Sequence, residues 1–321
     1  DGGHIVPGMV CAWWYDGEKM HEPLLMKECK IAAIDDKHPL WPEESQGEGE
    51  GAGAIIPLTS EDLSFGLRPG KTAFWLNLTA DAEMVAGGAP KVFKIEMTPW
   101  WERSSSAQYH NNVYGLGMGY DIIRIHNMKA KMQVDDEIVE GSAYIQKVSV
   151  QAPSFPWFWG MLHFDDGSYL DWFLPHASPS FTMKDDSPWS LRDFVRWPNI
   201  GTGLFHDASR DRTENFQRCS VELEMQDGED ALFDERGNSL PRFRVKVWNG
   251  RTQISLIVRA TNRARWMFDQ PTRAGFVSHL TYNEYPLEVE KIAILDEQGL
   301  RTADDYDWIR GNGEHAWGLL N

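Results

Sequence analysis

Residues 156–175 read PWFWGMLHFDDGSYLDWFLP, two apolar runs that meet at Asp166-Gly167. An Asp-Gly pair between apolar runs is a strong β-hairpin signal, because Gly readily adopts the positive φ that a tight turn requires. A two-residue turn at this point pairs Phe164 with Tyr169. The sequence therefore predicts an antiparallel hairpin that includes both apolar runs.

Strand alternation assigns each side chain of this hairpin to one of two faces. One face is expected to carry Phe158, Gly160, Leu162, Phe164, Tyr169, Asp171 and Phe173. The opposite face is expected to carry Trp157, Trp159, Met161, His163, Leu170, Trp172 and Leu174. Both faces are apolar, whereas an antiparallel hairpin usually has one solvated face. We therefore expect one face to pack into a core and the other to meet a domain interface or an apolar ligand cavity.

Asp171 is the one carboxylate within these apolar runs. Burial among Leu162, Tyr169 and Phe173 would raise its pKa, because desolvation disfavours the ionised form. A carboxylic acid that stays neutral near pH 7 can protonate a substrate, and Tyr169 on the same face can orient its proton. The alternative is that Asp171 meets an Arg from another strand and has a structural role. His163 lies on the other face in this register, where a structural role is the simpler interpretation.

The rest of the chain also favours strands. Runs with a period of two, rich in β-branched and aromatic residues, are separated by Gly, Asp and Pro. They lie at 74–79, 92–97, 120–125, 129–134, 221–225, 243–248, 254–259, 276–282 and 289–295. This spacing is typical of an antiparallel sandwich or barrel, so the fold class is all-β with few short helices. The best helix signal is Ser187-Pro188 before an amphipathic run that ends at Arg196, and it is expected to link two β domains.

Composition excludes several functions. The chain has 321 residues with 31 Lys and Arg against 48 Asp and Glu, a net charge of −17 that disfavours nucleic-acid binding. No apolar run approaches the ~18 residues that a membrane span needs. Three cysteines without a zinc spacing favour a reducing compartment, and the expected location is the cytoplasm. The 15 Trp residues need either hydrogen-bond partners in a core or a ligand to contact.

The hairpin also carries a family resemblance. Gly141-Ser142-Ala143-Tyr144, then Trp157-Phe158-Trp159-Gly160 and Phe164-Asp165-Asp166-Gly167, resemble the hydroxyneurosporene synthase (carotenoid 1,2-hydratase) and AttH-type lipocalin-like family. Trp13-Trp14-Tyr15 is similar to that family's opening motif, with Ala12 in place of Glu. Residues 311–318 resemble its closing strand. The resemblance covers about 35 residues, and the remainder agrees in β character and length.

This resemblance implies two tandem lipocalin-like domains, at residues 1–186 and 201–321, joined by a helical linker at 187–200. It implies hydration, cyclisation or isomerisation of a double bond in an isoprenoid or polycyclic substrate, without a metal or redox cofactor. Tyr169 and Asp171 match the Tyr-x-Asp pair of the hydratases. The family's His-x-Trp pair is absent, because residues 145–149 read IQKVS. Cyclase, isomerase and binding roles therefore stay open beside hydration.

Two hypotheses follow from these observations. The first is an enzyme in which Asp171 is the acid, Tyr169 its partner and Glu314 a reserve acid or base. Its expected substrate-binding residues are Trp157, Trp159, Trp172, His163, Phe164, Tyr144 and Trp101. The second is a carrier that binds an apolar small molecule without chemistry, and a homodimer is left open for both. A third reading, a glycan-binding protein, ranks last because the sequence shows no spaced carboxylate pair.

Overall fold

The computed structural model describes residues 4–35, 53–57, 63–68, 73–79, 92–99, 108–115, 118–151, 156–177, 195–196, 201–271 and 277–319. Within these ranges, the secondary structure consists of β-strands and two short 3₁₀ helices, Ala208–Arg210 and Ala303–Asp305. The prediction of an all-β chain with few short helices is confirmed. No helix in this part of the chain is long and apolar enough to cross a membrane.

The first sheet has nine strands and forms a half-barrel. Its strands are β1 (His4–Tyr15), β2 (Met20–Asp35), β3 (Gly53–Pro57), β4 (Leu63–Arg68), β5 (Ala73–Thr79), β6 (Val92–Pro99), β7 (Gln108–Gly115), β8 (Met118–Val134) and β9 (Glu137–Gln151). Their order is β1-β2-β3-β4-β5-β6-β8-β7, and β9 pairs with β8. The runs expected at 120–125 and 129–134 belong to one continuous strand, β8.

The second sheet has twelve strands. They are β10 (Trp157–Phe164), β11 (Tyr169–Ala177), β12 (Val195–Arg196), β13 (Thr202–Asp207), β14 (Arg212–Phe216), β15 (Arg218–Met225), β16 (Pro241–Trp248), β17 (Gln253–Ala260), β18 (Ala264–Pro271), β19 (Val277–Asp296), β20 (Gly299–Thr302) and β21 (Ile309–Leu319). Their order is β14-β13-β11-β10-β21-β19-β17-β16-β15, with β12 on β11 and with β18 and β20 on β19. The last strand, β15, returns beside β11 and β13, so the sheet is a nearly closed barrel.

The chain divides into two compact units, residues 1–109 with 124–146 and residues 110–123 with 147–321. The β10–β11 hairpin therefore groups with the C-terminal strands, because its neighbours in the sheet are β13 and β21. This grouping differs from an N-terminal domain that extends to residue 186. Of the linker expected at 187–200, the structure describes only Val195–Arg196, and this pair is a strand that pairs with β11 rather than part of a helix.

The register of the hairpin differs by one residue from the expected one. Phe164 N–H donates to Ser168 O at 2.9 Å, and Gly167 N–H donates to Phe164 O at 3.1 Å. The turn therefore has three residues, Asp165 to Gly167, and Gly167 adopts a φ of +91° at its end. This turn pairs His163 with Tyr169 instead of Phe164 with Tyr169. A shift of one residue moves the side chains of one strand to the other face relative to its partner.

The expected composition of the two faces is therefore wrong. Directly opposed residues share a face, so the structure has an inner face and an outer face with different members. The inner face carries Phe158, Gly160, Leu162, Phe164, Leu170, Trp172 and Leu174. The outer face carries Trp157, Trp159, Met161, His163, Tyr169, Asp171 and Phe173. The acid candidates Asp171 and Tyr169 therefore share a face with Trp157 and Trp159, while Trp172 lies on the opposite face.

The inner face packs into the core of the barrel. Phe158, Leu162, Phe164, Leu170 and Trp172 are buried in one apolar cluster. Side chains of β15, β16 and β17, among them Val221, Val247 and Leu256, complete this cluster. The inner face therefore forms an ordinary packed core rather than a ligand cavity.

Strand β19 has 20 residues and joins the two runs expected at 276–282 and 289–295. On one edge it pairs with β18 as far as Glu284 and with β17 from Leu287. Pro286 lies between these two partners, at a point where a residue without an N–H removes no ladder bond on that edge. The proline therefore ends neither the strand nor its pairing with β21, which is continuous from His279 to Glu288.

Candidate functional site

Two carboxyl groups meet on the outer face of the second sheet. Glu284 of β19 lies directly opposite Glu314 of β21. The Tyr282 hydroxyl lies 2.5 Å from Glu284 Oε2 and 2.7 Å from Glu314 Oε1. We refer to Glu284 and Glu314 as the carboxyl pair. One phenolic oxygen therefore bridges two carboxyl groups.

The remaining carboxyl oxygens of the pair also have hydrogen-bond donors. The Trp157 indole donates from Nε1 to Glu314 Oε2 at 2.8 Å. The Asn312 amide donates from Nδ2 to Glu284 Oε1. All four carboxyl oxygens are therefore engaged, by side chains from β10, β19 and β21. This arrangement holds both groups in fixed orientations, as a catalytic acid requires.

Aromatic and small side chains surround the carboxyl pair. Trp159 lies opposite Glu314 on β10, and Trp266 lies opposite Tyr282 on β18. Ala264 lies opposite Glu284. The rings of Trp157 and Tyr282 are 6.2 Å apart between centroids and tilted by 56°. The pair is therefore set in an apolar, aromatic part of the sheet.

These surroundings change the acidity of Glu284. Burial, with the negative charge of Glu314 as a second cause, raises the pKa of Glu284 to about 8. Hydrogen bonds from Tyr282 and Asn312 oppose this shift in pKa without cancelling it. The raised pKa favours the protonated form of Glu284 at a higher pH than in an exposed glutamate. Two neighbouring carboxyl groups that share one proton are a common arrangement for acid–base chemistry.

The carboxyl pair is partly accessible from outside the barrel. Glu284, Tyr282, Trp157 and Asn312 are each half-buried, and Glu314 is 9% exposed. Glu314 and the next residue, His315, point to opposite faces of β21, as strand geometry requires. His315 lies on the inner face, where its ring stacks on Phe158 with centroids 4.3 Å apart. Of these two neighbours, only Glu314 reaches the half-open face.

Asp171 and Tyr169 lie in a different and more enclosed part of the same face. Their exposed fractions are 4% and 1%. Asp171 lies opposite Met161 on one side and Leu204 on the other. Tyr169 stacks on His206 with ring centroids 5.3 Å apart, and burial with the nearby Asp171 raises the pKa of its hydroxyl. Strand β10 lies between β11, which carries Asp171 and Tyr169, and β21, which carries Glu314.

The other expected site residues are scattered. Trp172 and Phe164 lie on the inner face within the core. His163 is buried on the outer face, opposite Tyr169 and Arg310. Tyr144 is half-buried in β9 of the first sheet, and Trp101 lies outside the described residues. Of the expected set, the structure therefore brings together Glu314, Trp157 and Trp159.

Sequence reasoning missed Glu284, Tyr282 and Asn312 as site residues. The strand signal was taken to end at Tyr282, so the alternation that places Glu284 on the same face was not continued. A Tyr-x-Glu pattern on a strand, with Glu314 on another, is the signal that could have found the pair. It becomes useful only once β19 and β21 are known to be neighbours.

Two cavities lie away from the carboxyl pair, and no metal site is found among the described residues. Within these ranges, no group of three or more His, Cys, Asp and Glu side chains is placed to hold a metal ion. A groove of about 730 Å³ lies on the second sheet and is lined by charged and hydroxyl side chains such as Glu222, Arg244 and Ser255. A cavity of about 560 Å³ lies in the first unit beside Trp14 and Asp135. Neither contains a residue of the carboxyl pair.

Comparison with known proteins returns weak structural likenesses. No family model and no curated protein sequence matches this chain. One similar structure is a chain provisionally named AttH from Nitrosomonas europaea, with a TM-score of 0.43 and 13% identity over 97% of this chain and 90% of that one. Another is kievitone hydratase from Nectria haematococca, with a TM-score of 0.29 and 8% identity over 81% of this chain and 86% of that one. Likenesses at this level carry no argument about activity, and the hydroxyneurosporene synthase and AttH-type resemblance stays a prediction.

Proposed function

We propose that this chain is an enzyme in which the carboxyl pair transfers a proton to a double bond of a hydrophobic substrate. The single observation that carries the proposal is the Tyr282 hydroxyl between Glu284 and Glu314, at 2.5 and 2.7 Å. This geometry requires a proton in addition to the one on the phenol. A protonated carboxyl group at neutral pH is a general acid that the solvent does not supply.

The proposed reaction starts at an alkene. The π electrons of the double bond take the proton from the carboxyl O–H, forming a C–H bond and leaving a carboxylate and a carbocation. The indoles of Trp157 and Trp159 can stabilise this cation as they would an ammonium ion. Attack by water with loss of a proton completes a hydration. Loss of a neighbouring proton completes an isomerisation, and attack by a second double bond completes a cyclisation.

Three features of the site support this chemistry. The aromatic surroundings suit an isoprenoid or polycyclic substrate, Glu314 keeps 9% of its surface exposed beside half-buried neighbours, and the reaction involves no net change of oxidation state. The proposal therefore needs no redox cofactor. Asp171 is less well suited than Glu314 as the acid, because it is almost completely enclosed.

Deuterium incorporation tests the proposal. Squalene, geranylgeraniol and cholesterol serve as probes, each incubated with the protein in D₂O and analysed by mass spectrometry. We expect the wild type to place deuterium on an alkene carbon of at least one probe. Glu314→Gln should lower the rate by about 100-fold or more, the usual contribution of a positioned acid.

A matched control is available on the same strand. Glu288 lies on the same face of β19, is half-buried and pairs with Arg259 at 2.6 Å. Glu288→Gln should keep the wild-type rate. Probes that bind, as seen by quenching of Trp fluorescence, but are recovered without deuterium would contradict the proposal and favour an apolar carrier. Equal rates for Glu314→Gln and wild type would refute the role of Glu314.

A further inference from the structure

We propose that Tyr282 relays a proton between the two carboxyl groups, so that Glu284 stores the proton and Glu314 delivers it beside Trp157. This inference rests on the proposed function, because it assigns separate tasks to the two members of the carboxyl pair. In this scheme Glu314 is the catalytic residue. Glu284 and Tyr282 act on the substrate only through it.

The directions of the hydrogen bonds carry the inference. An indole N–H only donates, so Glu314 Oε2 is an acceptor for Trp157. The Asn312 amide N–H also donates, so Glu284 Oε1 is an acceptor. Only Glu284 Oε2 and Glu314 Oε1 remain as positions for a shared proton. Both of these oxygens face the hydroxyl of Tyr282.

Two proton arrangements satisfy these four hydrogen bonds. In the first, Glu284 Oε2–H donates to the Tyr282 oxygen, and the Tyr282 O–H donates to Glu314 Oε1. In the second, Glu314 Oε1–H donates to the Tyr282 oxygen, and the Tyr282 O–H donates to Glu284 Oε2. The two differ by the concerted movement of two protons along the chain of oxygens. Tyr282 thus passes a proton on without changing its own protonation state.

The two arrangements differ in which carboxyl group is ionised. Each group has one donor of its own besides the shared hydroxyl, Trp157 for Glu314 and Asn312 for Glu284, so the number of donors does not distinguish them. Burial raises the pKa of Glu284, and the negative charge of Glu314 adds to this shift. We therefore assign the proton to Glu284 at rest, as in the first arrangement.

Delivery follows from the second arrangement. Glu314 then holds the proton next to Trp157 and opposite Trp159, where a carbocation is best stabilised. Transfer to the alkene leaves two carboxylates on either side of one hydroxyl. Their mutual repulsion favours recovery of the proton that the cation or the attacking water releases. The cycle therefore closes with no proton gained or lost by the protein.

Among the described residues of the neighbouring strands, apolar side chains lie opposite the members of this relay. The neighbouring strands place Ala264, Trp266 and Trp159 opposite its members. Along β19 and β21, the next charged residues on the same face are Glu288 and Arg310, which oppose each other, and Glu288 pairs with Arg259. A titration observed near neutral pH can therefore be assigned to the relay by single substitutions.

Infrared spectroscopy tests the relay without a substrate. The protonated carboxyl C=O band of the whole protein is followed against pH in the wild type and in variants. We expect a wild-type band at pH 7 that disappears with a midpoint near pH 8, and no such band in Glu284→Gln. Tyr282→Phe should raise the midpoint by about one pH unit, because it removes a hydrogen bond that favours ionised Glu284. Glu314→Gln should lower it, because a neighbouring negative charge is lost.

Kinetics with any probe that takes up deuterium supply the second measurement. Tyr282→Phe and Glu284→Gln should each lower the rate by about 100-fold, although neither is the group that meets the substrate. Tyr306→Phe, which removes a hydroxyl near Arg301 in the same unit, should leave the rate unchanged.

The two proposals fail in different ways. An unchanged infrared midpoint or an unchanged rate in Tyr282→Phe overturns the relay, while loss of activity in Glu314→Gln would still support the proposed function. Absence of deuterium uptake by the wild type overturns the proposed function, and the infrared midpoints then still decide whether the pair is linked through Tyr282.

Discussion

The two faces of β10 do different things with the same kind of side chain. On the inner face, Phe158 and Leu162 pack into the buried apolar cluster of the barrel. On the outer face, the adjacent residue Trp157 donates a hydrogen bond to the carboxyl group of Glu314. The difference teaches that aromatic content alone does not locate a site. What distinguishes the outer face is a carboxyl pair, one member of which accepts a hydrogen bond from Trp157.

The largest expected effect comes from removing one aromatic side chain from the core. Trp172→Ala should lower the free energy of unfolding by about 3–5 kcal/mol, because it leaves a cavity on the inner face. Trp157→Phe should cost only about 1 kcal/mol, since it keeps a half-buried ring and loses one hydrogen bond. Urea unfolding measures both. An equal loss of unfolding free energy in the two variants would contradict the difference between the inner and outer faces.

A second prediction concerns Gly160 on the inner face. A Cβ at this position would lie 2.1 Å from Cζ2 of Trp172, so the indole would have to move. Gly160→Ala should therefore cost about 1–3 kcal/mol. Gly141→Ala, with no atom within 4 Å of its added Cβ, should stay within about 0.5 kcal/mol of the wild type. Thermal unfolding of the two variants decides whether the inner face is as tightly packed as described.

The smallest expected effect is a pH dependence on the outer face. The pKa of Glu284 is raised in the folded state, so its contribution to stability is complete below the ordinary value of 4.5 and is lost as the pH rises towards about 8. Glu284→Gln lacks this loss and should gain stability relative to the wild type between pH 5 and pH 8.5. Chemical unfolding at the two pH values measures the difference. If the difference in unfolding free energy between Glu284→Gln and the wild type is the same at both pH values, the pKa of Glu284 is not raised in the folded protein.

The strands were largely predictable from the sequence, and their neighbours were not. Alternation located β5, β6, β16 and β17 to within a few residues, and in β16 and β17 every second residue is buried. The hairpin register was wrong by one residue for the opposite reason. Both faces of 157–174 are apolar, so the pattern does not distinguish the two registers, and the turn length decides. The hydrogen bond from Phe164 N–H to Ser168 O closes a three-residue turn. The sequence is equally compatible with a two-residue turn at Asp166-Gly167.

Only part of the candidate site was predicted from the sequence. Glu314 and Trp157 were both singled out, on separate grounds, as a reserve acid and a binding residue. Their contact depends on β21 lying between β10 and β19, an order that no local pattern encodes. Glu284 was missed because the expected run ended at Tyr282, whereas β19 continues to Asp296. Asp171, the favoured acid, is carried by the expected strand, and its role stays a prediction.

The position of β21 has a consequence for the newly made chain. Trp157 and Glu314, which touch in the folded protein, are 157 residues apart in the sequence. At typical rates of synthesis this separation corresponds to roughly ten seconds or more, during which β10 is present without β21, the strand that pairs with it. The unpaired edge of β10 must be kept from other chains throughout that interval. The carboxyl pair therefore forms late, once β21 has been added between β10 and β19.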